Sequence, residues 1–240
     1  MLIYFKRKIK QYIYPKCRKL KIGDFAKISY SQCGEDLIVK FIFDCLGIEK
    51  PSYIDIGAHD PEYLNNTNIF YLNGSRGINI EPDPCCYKRI QDKRNLDVNL
   101  NIGVSDIVGE MDFYSISPST LNTFSKSEAD KYAAIGHPIT SVKKIEVNTL
   151  PKIIHKYCNN HFPDFLSLDI EGMDEIILKS INYDENFPVV ICVETISFSE
   201  NGNGIKNRTI IEFLESKGYL VYADTYINTI FVKKDKWIRP

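Results

Sequence analysis

Apolar residues follow two alternating periods over most of this 240-residue chain, and their alternation predicts the fold. From Ser31 onward, segments with apolar positions three or four residues apart, typical of helices, alternate with short apolar runs, typical of buried strands. The predicted strands are residues 53–56, 77–81, 99–104, 165–169, 189–194, 219–223 and 229–232. The predicted helices are residues 36–46, 62–72, a segment after Pro84, 151–157, 174–181 and 208–217.

This order of elements predicts an α/β fold, because strands that alternate with helices form a largely parallel sheet covered on both faces. The strands at 219–223 and 229–232 are joined too closely for a helical crossover, so we expect them to pair antiparallel. Residues 115–141 are rich in Ser, Thr, Pro and Gly and are too long for a simple connection. We interpret them as an insertion that acts as a substrate lid.

The first 22 residues differ from the rest of the chain in charge. They carry eight Lys and Arg residues and no acid, and their apolar residues recur at near-helical spacing. This pattern predicts a basic amphipathic arm, either packed loosely on the domain formed by residues 23–240 or attached to an anionic membrane face. The formal net charge of the whole chain is -1, so we expect no nucleic-acid partner.

The seven cysteines are scattered along the chain and are never spaced as C-x-x-C pairs. This usage favours a reducing compartment and argues against a zinc site or a disulfide framework. No apolar run approaches the roughly 20 residues of a membrane-spanning helix. We therefore expect a cytoplasmic location, with the basic arm offering peripheral contact at the inner membrane face.

Acidic residues follow or end five of the predicted strands. They are Asp55, Glu81, Asp106, Asp169 with Glu171, and Glu194. In an open parallel sheet, ligands bind beyond the carboxyl ends of the strands. We therefore expect these acids to surround one ligand site.

The turn after the first strand, DIGAHDP at residues 55–61, has one glycine where a dinucleotide site has the pattern GxGxxG. Asp60 in this turn would repel a pyrophosphate. Glu81 stands about two dozen residues further on, where an acid accepts hydrogen bonds from both ribose hydroxyls. S-adenosylmethionine fits this pattern, because it has cationic groups for Asp55 and Asp169, a ribose for Glu81, and no phosphate.

Seven strings of the sequence, in order, resemble the FkbM family of S-adenosylmethionine-dependent O-methyltransferases. They are SQCGEDLIV from Ser31, YIDIGAHDP from Tyr53, NNTNIFY from Asn65, GINIEPDP from Gly77, VNLNIGVSD from Val98, STLNTF from Ser119 and DFLSLDIEGMDEIILKS from Asp164. The resemblance implies the class I methyltransferase fold. In that fold a doubly wound, Rossmann-like α/β domain holds a seven-stranded, mostly parallel sheet whose last strand is antiparallel.

The resemblance also implies roles for individual residues. In the family pattern Asp55, Gly57 and His59 line the methionine end of the cofactor, Glu81 holds the ribose, Asp106 lies toward the adenine, and Asp169 lies near the transferred methyl group. The cofactor site is expected to include Gln32, Ala58, Pro82 and Ser105 as well. The more common family form has Asn at the position of His59 and Gly at that of Pro61, which leaves open whether His59 touches cofactor or substrate.

Four residues expected at the reacting end are candidates for the base that takes the proton of an acceptor hydroxyl. They are Asp169, Glu171, Glu194 and His59. Alternatively, the three carboxylates hold a Mg²⁺ ion, which prefers hard oxygen ligands and would lower the pKa of the hydroxyl.

On the resemblance alone, we expect the acceptor to be a sugar hydroxyl within a surface glycan or a related glycosylated product. The lid at 115–141 and the loop at 197–207 are expected to form the acceptor site. Two other functions stay open. One is a catalytically inactive cofactor-binding scaffold in glycan assembly, and the other is an NAD-dependent sugar oxidoreductase, which the single-glycine turn and Asp60 disfavour.

Overall fold

The computed structural model describes residues 26–197 and 204–237, so the predicted arm at 1–22 lies outside the described residues. The strands are β1 (Tyr53–Ile56), β2 (Gly77–Ile80), β3 (Val98–Leu100), β4 (Gly103–Ser105), β5 (Gly109–Ile116), β6 (Ile139–Thr149), β7 (Phe165–Leu168), β8 (Val190–Glu194), β9 (Tyr219–Asp224) and β10 (Asn228–Lys233). The helices are α1 (Glu35–Leu46), α2 (Asn68–Leu72), α3 (Pro84–Lys93), α4 (Lys126–Ala134), α5 (Leu150–Tyr157), α6 (Asp174–Lys179), α7 (Arg208–Ser216) and α8 (Lys234–Trp237), with a 3₁₀ turn at Ser119–Leu121.

Seven strands form one sheet in the order β3-β2-β1-β7-β8-β10-β9. The neighbouring pairs from β3 to β8 are parallel, whereas β10 runs antiparallel to both β8 and β9. This topology confirms the predicted α/β fold, including the antiparallel last strand. The carboxyl ends of β1, β2, β7 and β8 meet at one edge of the sheet, where ligands of parallel sheets bind.

The core lies on both faces of this sheet because successive side chains of a strand point to opposite faces. Tyr53 and Phe165 pack on the face covered by α1 and α2, whereas Ile54 and Leu166 pack on the face covered by α5, α6 and α7. All four side chains are fully buried. Within the described residues, no helix is long and apolar enough to cross a membrane.

The helix predicted at residues 62–72 is shorter in the structure and begins at Asn68. The prediction of its first half was wrong because Asn65 acts as a local hydrogen-bonding group. Its Oδ1 accepts hydrogen bonds from the backbone N–H groups of Thr67 and Asn68, at 3.0 and 2.7 Å. Such bonds are typical of a residue that precedes a helix and compete with helical pairing before it.

The strand predicted at residues 99–104 is two short strands that belong to different sheets. β3 forms the edge of the main sheet, while β4 pairs with β6 in a second sheet of order β4-β6-β5. Long antiparallel pairing of β5 with β6 builds this second sheet. The predicted insertion at 115–141 is therefore the central part of a larger ordered segment, residues 109–149, which we call the insert.

A buried arginine just after α3 connects the turn that follows β1 (residues 57–61, the β1 turn) to the edge of the sheet. The Arg94 side chain is 1% exposed, and its Nε lies 3.1 Å from Asp97 Oδ2. Its Nη2 donates to the Tyr53 hydroxyl at 2.8 Å and to Thr67 Oγ1 at 3.1 Å. Thr67 Oγ1 in turn donates to Asp55 Oδ2 at 2.7 Å. A charge buried this completely is tolerated because fixed polar partners surround it.

We expect Arg94→Met to lower the free energy of unfolding by about 3–5 kcal/mol, because it leaves Asp97 as an unpaired buried charge. Urea unfolding followed by circular dichroism measures this change. Lys88→Met is the matched control, since Lys88 lies on α3 with its side chain 68% exposed. The control should unfold near wild type, and an equal loss in both variants would contradict the role given to Arg94.

Candidate active site

A cavity of about 460 Å³ opens at the carboxyl ends of the parallel strands, between the main sheet and the insert. Its volume lies in the range of small-molecule sites, roughly 300–1,000 Å³. Eight of the predicted site residues line it: Gln32, Gly57, His59, Glu81, Pro82, Asp169, Glu171 and Glu194. The other four, Asp55, Ala58, Ser105 and Asp106, do not belong to its lining.

The β1 turn brings two strand ends into close contact at Gly57. This residue has φ of 82°, and a Cβ added to it would lie 1.9 Å from the carbonyl oxygen of Asp169. Only glycine combines that backbone conformation with such a close approach. The next lining residue, His59, also has a positive φ, 47°. Its backbone N–H and its ring both form hydrogen bonds, and such contacts help to hold a residue in this rarely adopted conformation.

Glu81, directly after β2, has its carboxylate fixed by two backbone donors. The N–H of His59 donates to Oε2 at 2.8 Å, and the N–H of Asp83 donates to Oε1 at 2.7 Å. Burial nevertheless raises the pKa of Glu81 to about 7, more than these hydrogen bonds lower it. A carboxylate has about four lone-pair sites, so each oxygen keeps capacity to accept from a ligand hydroxyl in the cavity.

Asp55 lies beneath the cavity wall and supports it. Its carboxylate is 4% exposed and accepts hydrogen bonds from Thr67 Oγ1, at 2.7 Å, and from Asn65 Nδ2, at 3.3 Å. Asn65 Nδ2 also donates to the carbonyl oxygens of Ala58 and Asp60. Asp55 thus fixes the loop that carries His59. Burial raises the pKa of Asp55, and these donors oppose the rise.

Ser105 and Asp106 follow β4, a strand of the second sheet. Ser105 is buried with its hydroxyl 3.1 Å from Asp106 Oδ1, and Asp106 is exposed. The cavity wall at this end is instead formed by apolar residues. They are Ile102, Val104, Phe113, Leu121 and Phe124. The expectation that Asp106 lies toward an adenine therefore has no support in the geometry.

Three carboxylates converge in the cavity wall. Asp169 follows β7, Glu194 ends the neighbouring strand β8, and Glu171 is carried by the turn after Asp169. One carboxylate oxygen from each lies within 4.8 Å of the others. We call Asp169, Glu171 and Glu194 the acid cluster. Sequence spacing left open whether they meet, and the structure shows that they do.

The environment of the acid cluster favours protonated carboxyl groups. Asp169 opens to the cavity but is surrounded by protein, and burial, with the nearby Asp174 and Asp55, raises its pKa to about 7. Burial and Asp169 raise the pKa of Glu171 to about 8. The pKa of Glu194 is raised as well, by burial and by Asp169. Within residues 26–197 and 204–237, no Lys or Arg forms an ion pair with the three acids.

The insert holds Glu171 from two directions. Thr123 Oγ1 donates to the Glu171 carbonyl oxygen at 2.8 Å, and the Tyr132 hydroxyl donates to the Glu171 carboxylate. These contacts hold Glu171 at a φ of 50°, which non-glycine residues adopt rarely. Neither partner was predicted from the sequence, although Thr123 belongs to the string STLNTF.

Other lining residues were missed because their placement in loops or at a strand start depends on the tertiary fold. They are Leu64, Asn66, Ile196, Ile227 and Asn228. Ser197, which also lines the cavity, belongs to the predicted acceptor loop at 197–207, of which residues 198–203 lie outside the described residues. Asn66 Nδ2 donates to Ser167 Oγ at 3.3 Å, so it lies over the end of β7.

Among solved structures, the chain is similar to a methyltransferase FkbM from Methylobacillus flagellatus KT, with 13% identity and a TM-score of 0.44. That match covers 77% of this chain and 44% of the other, so this chain spans less than half the length of that protein. A putative caffeoyl-CoA O-methyltransferase from Staphylococcus aureus shows 8% identity and a TM-score of 0.46, covering 96% of this chain and 98% of the other.

A TehB-like SAM-dependent methyltransferase from Corynebacterium glutamicum shows 11% identity and a TM-score of 0.41, covering 98% of this chain and 100% of the other. No curated protein matches the sequence. The family profile described as the methyltransferase FkbM domain matches residues 55–221, which include the β1 turn, Glu81, the insert and the acid cluster. The chain therefore belongs to the FkbM methyltransferase family.

Proposed function

We propose that the protein is an S-adenosylmethionine-dependent O-methyltransferase that acts on a hydroxyl group of a sugar in a surface glycan or a related glycosylated product. The observation that carries the proposal is that Glu81 and the acid cluster line one cavity. The choice of a sugar is supported by the resemblance of the sequence to the FkbM family and by no separate feature of the cavity.

The residues present fit this cofactor. Glu81 would accept hydrogen bonds from the two ribose hydroxyls, because its carboxylate is fixed by backbone donors and faces the cavity. The Cβ-free Gly57 leaves room where the β1 turn meets Asp169. A cation bound beside the acid cluster would favour the ionised form of its carboxyl groups, so the cluster would suit the ammonium and sulfonium groups. When bound, the cofactor supplies an electrophilic methyl group.

The protein's part in the reaction is to align the acceptor oxygen and to receive its proton. Alignment of two bound reactants can supply much of the rate acceleration of a displacement. The acid cluster would accept the proton, because a general base works best with a pKa near the working pH. The pKa values of about 7 and about 8 for Asp169 and Glu171 satisfy that condition.

A Mg²⁺ ion is the alternative occupant of the acid cluster. Three converging carboxylate oxygens suit a hard divalent cation, which would lower the pKa of a hydroxyl bound to it. The two proposals differ in what neutralises the cluster, either protons or a metal ion, so they predict different responses to pH and to Mg²⁺.

Two other functions are less well supported. An NAD-dependent oxidoreductase would place a pyrophosphate at the N-terminus of the helix after β1, but α2 begins only at Asn68. Asp60 occupies the turn instead, where it accepts from the N–H groups of Glu62 and Tyr63 and pairs with Arg89. An inactive scaffold would have no need of the acid cluster, whose burial costs stability.

We expect the full chain to bind S-adenosylhomocysteine and not NADH in isothermal titration calorimetry. Glu81→Gln should weaken binding of S-adenosylhomocysteine by about 10- to 100-fold, because hydrogen bonds to a charged acceptor are lost. Glu62→Gln is the matched control, since its side chain is 58% exposed. Binding of NADH in preference would favour the oxidoreductase, and equal affinity in both variants would remove Glu81 from the ribose site.

We expect Glu171→Gln to stabilise the protein relative to wild type as the pH rises from 5 to 9 in the presence of EDTA. The pKa of Glu171 is about 8 in the folded protein, against 4.5 as its ordinary value, so its proton stabilises the fold at low pH. That contribution falls progressively as the pH rises above 4.5 and is lost by about pH 8, whereas Gln does not titrate. Urea unfolding should show a difference growing by roughly 1–3 kcal/mol.

Glu175→Gln is the control for this experiment, because the Glu175 side chain is 36% exposed and a hydrogen bond from Lys179 lowers its pKa. Its difference from wild type should stay constant over the same pH range. Repeating the series with millimolar Mg²⁺ separates the two proposals for the cluster. We expect Mg²⁺ to leave the free energy of unfolding unchanged. If Mg²⁺ instead raised the free energy of unfolding of wild type but not that of Glu171→Gln, a metal ion would occupy the cluster.

A further inference from the structure

A buried carboxylate at the start of α1 contacts the connection between β9 and β10. Glu35 is fully buried, and its Oε1 accepts hydrogen bonds from Thr225 Oγ1 at 2.7 Å and from Asn228 Nδ2 at 3.2 Å. Its Oε2 accepts from the backbone N–H of Cys33 at 2.7 Å. Burial raises the pKa of Glu35, but its hydrogen bonds together lower that pKa below its ordinary value. Glu35 is therefore ionised at neutral pH.

The ionised carboxylate fixes the direction of the Asn228 carboxamide. A carboxylate accepts hydrogen bonds and cannot donate them, so the Nδ2 group of Asn228 faces Glu35 and its Oδ1 points away. Asn228 is 5% exposed and lines the cavity. Its backbone N–H and carbonyl are both bonded to Thr225, and within residues 26–197 and 204–237 no group donates to its Oδ1. This oxygen is the polar atom that Asn228 offers to a ligand.

Strand register places Asn228 beside the acid cluster. Asn228 is the first residue of β10 and is paired with Glu194 of β8. Side chains paired in this way share one face of the sheet, with Cβ atoms about 5 Å apart. The face is the one covered by α1, because Cys192 and Ile230, two residues away along each strand, pack there. In the order of strands, β10 lies beyond β7 and β8 on the side away from β2, which Glu81 follows.

We propose that Asn228 binds the acceptor, with its Oδ1 accepting a hydrogen bond from the hydroxyl next to the one that is methylated. This rests on the proposed function, in which the ribose of the cofactor lies at Glu81 and the acceptor is a sugar. The hydroxyl that is methylated gives its proton to the acid cluster, whose carboxylates are stronger bases than a carboxamide oxygen. A sugar carries hydroxyls on adjacent carbons, so the paired positions of Glu194 and Asn228 suit two neighbouring hydroxyls of one ring. Glu35 is a positioning residue, because it acts through the direction of the Asn228 amide.

The test is NMR titration of the full, ¹⁵N-labelled chain, saturated with S-adenosylhomocysteine. The probes are the methyl glycopyranosides of D-glucose, D-galactose, D-mannose and L-rhamnose. At least one probe should shift the side-chain amide signal of Asn228, which is assigned by its absence from Asn228→Ala. Asn228→Ala should bind that probe about 5- to 10-fold more weakly, because one hydrogen bond is lost. The variant should keep the wild-type affinity for S-adenosylhomocysteine, which also shows that it folds.

Thr225→Val is the matched control, because Thr225 donates to the same oxygen of Glu35 but does not line the cavity. It should bind the probe within about 2-fold of wild type, since it removes a hydrogen bond of similar strength outside the ligand site. Glu35→Gln should weaken the probe as well, but less than Asn228→Ala does. A glutamine side chain both donates and accepts, so it no longer fixes the direction of the Asn228 amide.

Three results would overturn the acceptor role of Asn228 alone. They are an Asn228 signal that no probe shifts, an equal loss of probe affinity in Thr225→Val, and a loss of affinity for S-adenosylhomocysteine in Asn228→Ala. The last result would place Asn228 in the cofactor site. Absence of S-adenosylhomocysteine binding by wild type would overturn the proposed function and this proposal with it.

Discussion

The guanidinium of Arg94 is a charge that the folded chain keeps out of water, and the geometry of the candidate site depends on how that charge is satisfied. One of its partners, Thr67, also donates to Asp55. Asn65, which also contacts Arg94, donates to the carbonyl oxygens of Ala58 and Asp60. The network therefore fixes the loop after β1 from below. Because His59 in that loop donates to Glu81, a buried ion pair after α3 positions the carboxylate in the cavity wall.

The acid cluster, unlike the Arg94 network, lowers the stability of the folded protein. Partial burial raises the pKa of all three carboxyl groups, and Asp169 raises those of Glu171 and Glu194 further, an arrangement that a chain selected for stability alone would avoid. Strained backbone occurs in the same places, at His59 and at Glu171. Acids with shifted pKa values and residues with strained backbone occur together most often at functional sites, where they help to bind a cation or to move a proton.

The sequence predicted the main sheet well because its signals are local. Buried strands such as Phe165–Leu168 are short apolar runs, and acids at the strand ends predicted the acid cluster and Glu81. The start of α2 was missed because Asn65 acts through side-chain hydrogen bonds, which apolar periodicity does not report. The second sheet and the partners of Glu171 were missed for another reason. The second sheet depends on the pairing of β6 with β4 and β5, and the partners of Glu171 lie 39 and 48 positions away from it along the chain. No local pattern encodes such contacts.

The hydrogen bonds from Thr123 and Tyr132 to Glu171 also limit how this domain can be varied. The insert is separated along the chain from the turn that carries Glu171, but its side chains contact that turn. The two segments can therefore be exchanged between relatives only together. A chimaera that received a foreign insert would keep Glu171 and lose both side chains that hold it in its left-handed conformation. Recombination between relatives would succeed only with crossover points placed so that both segments come from the same parent.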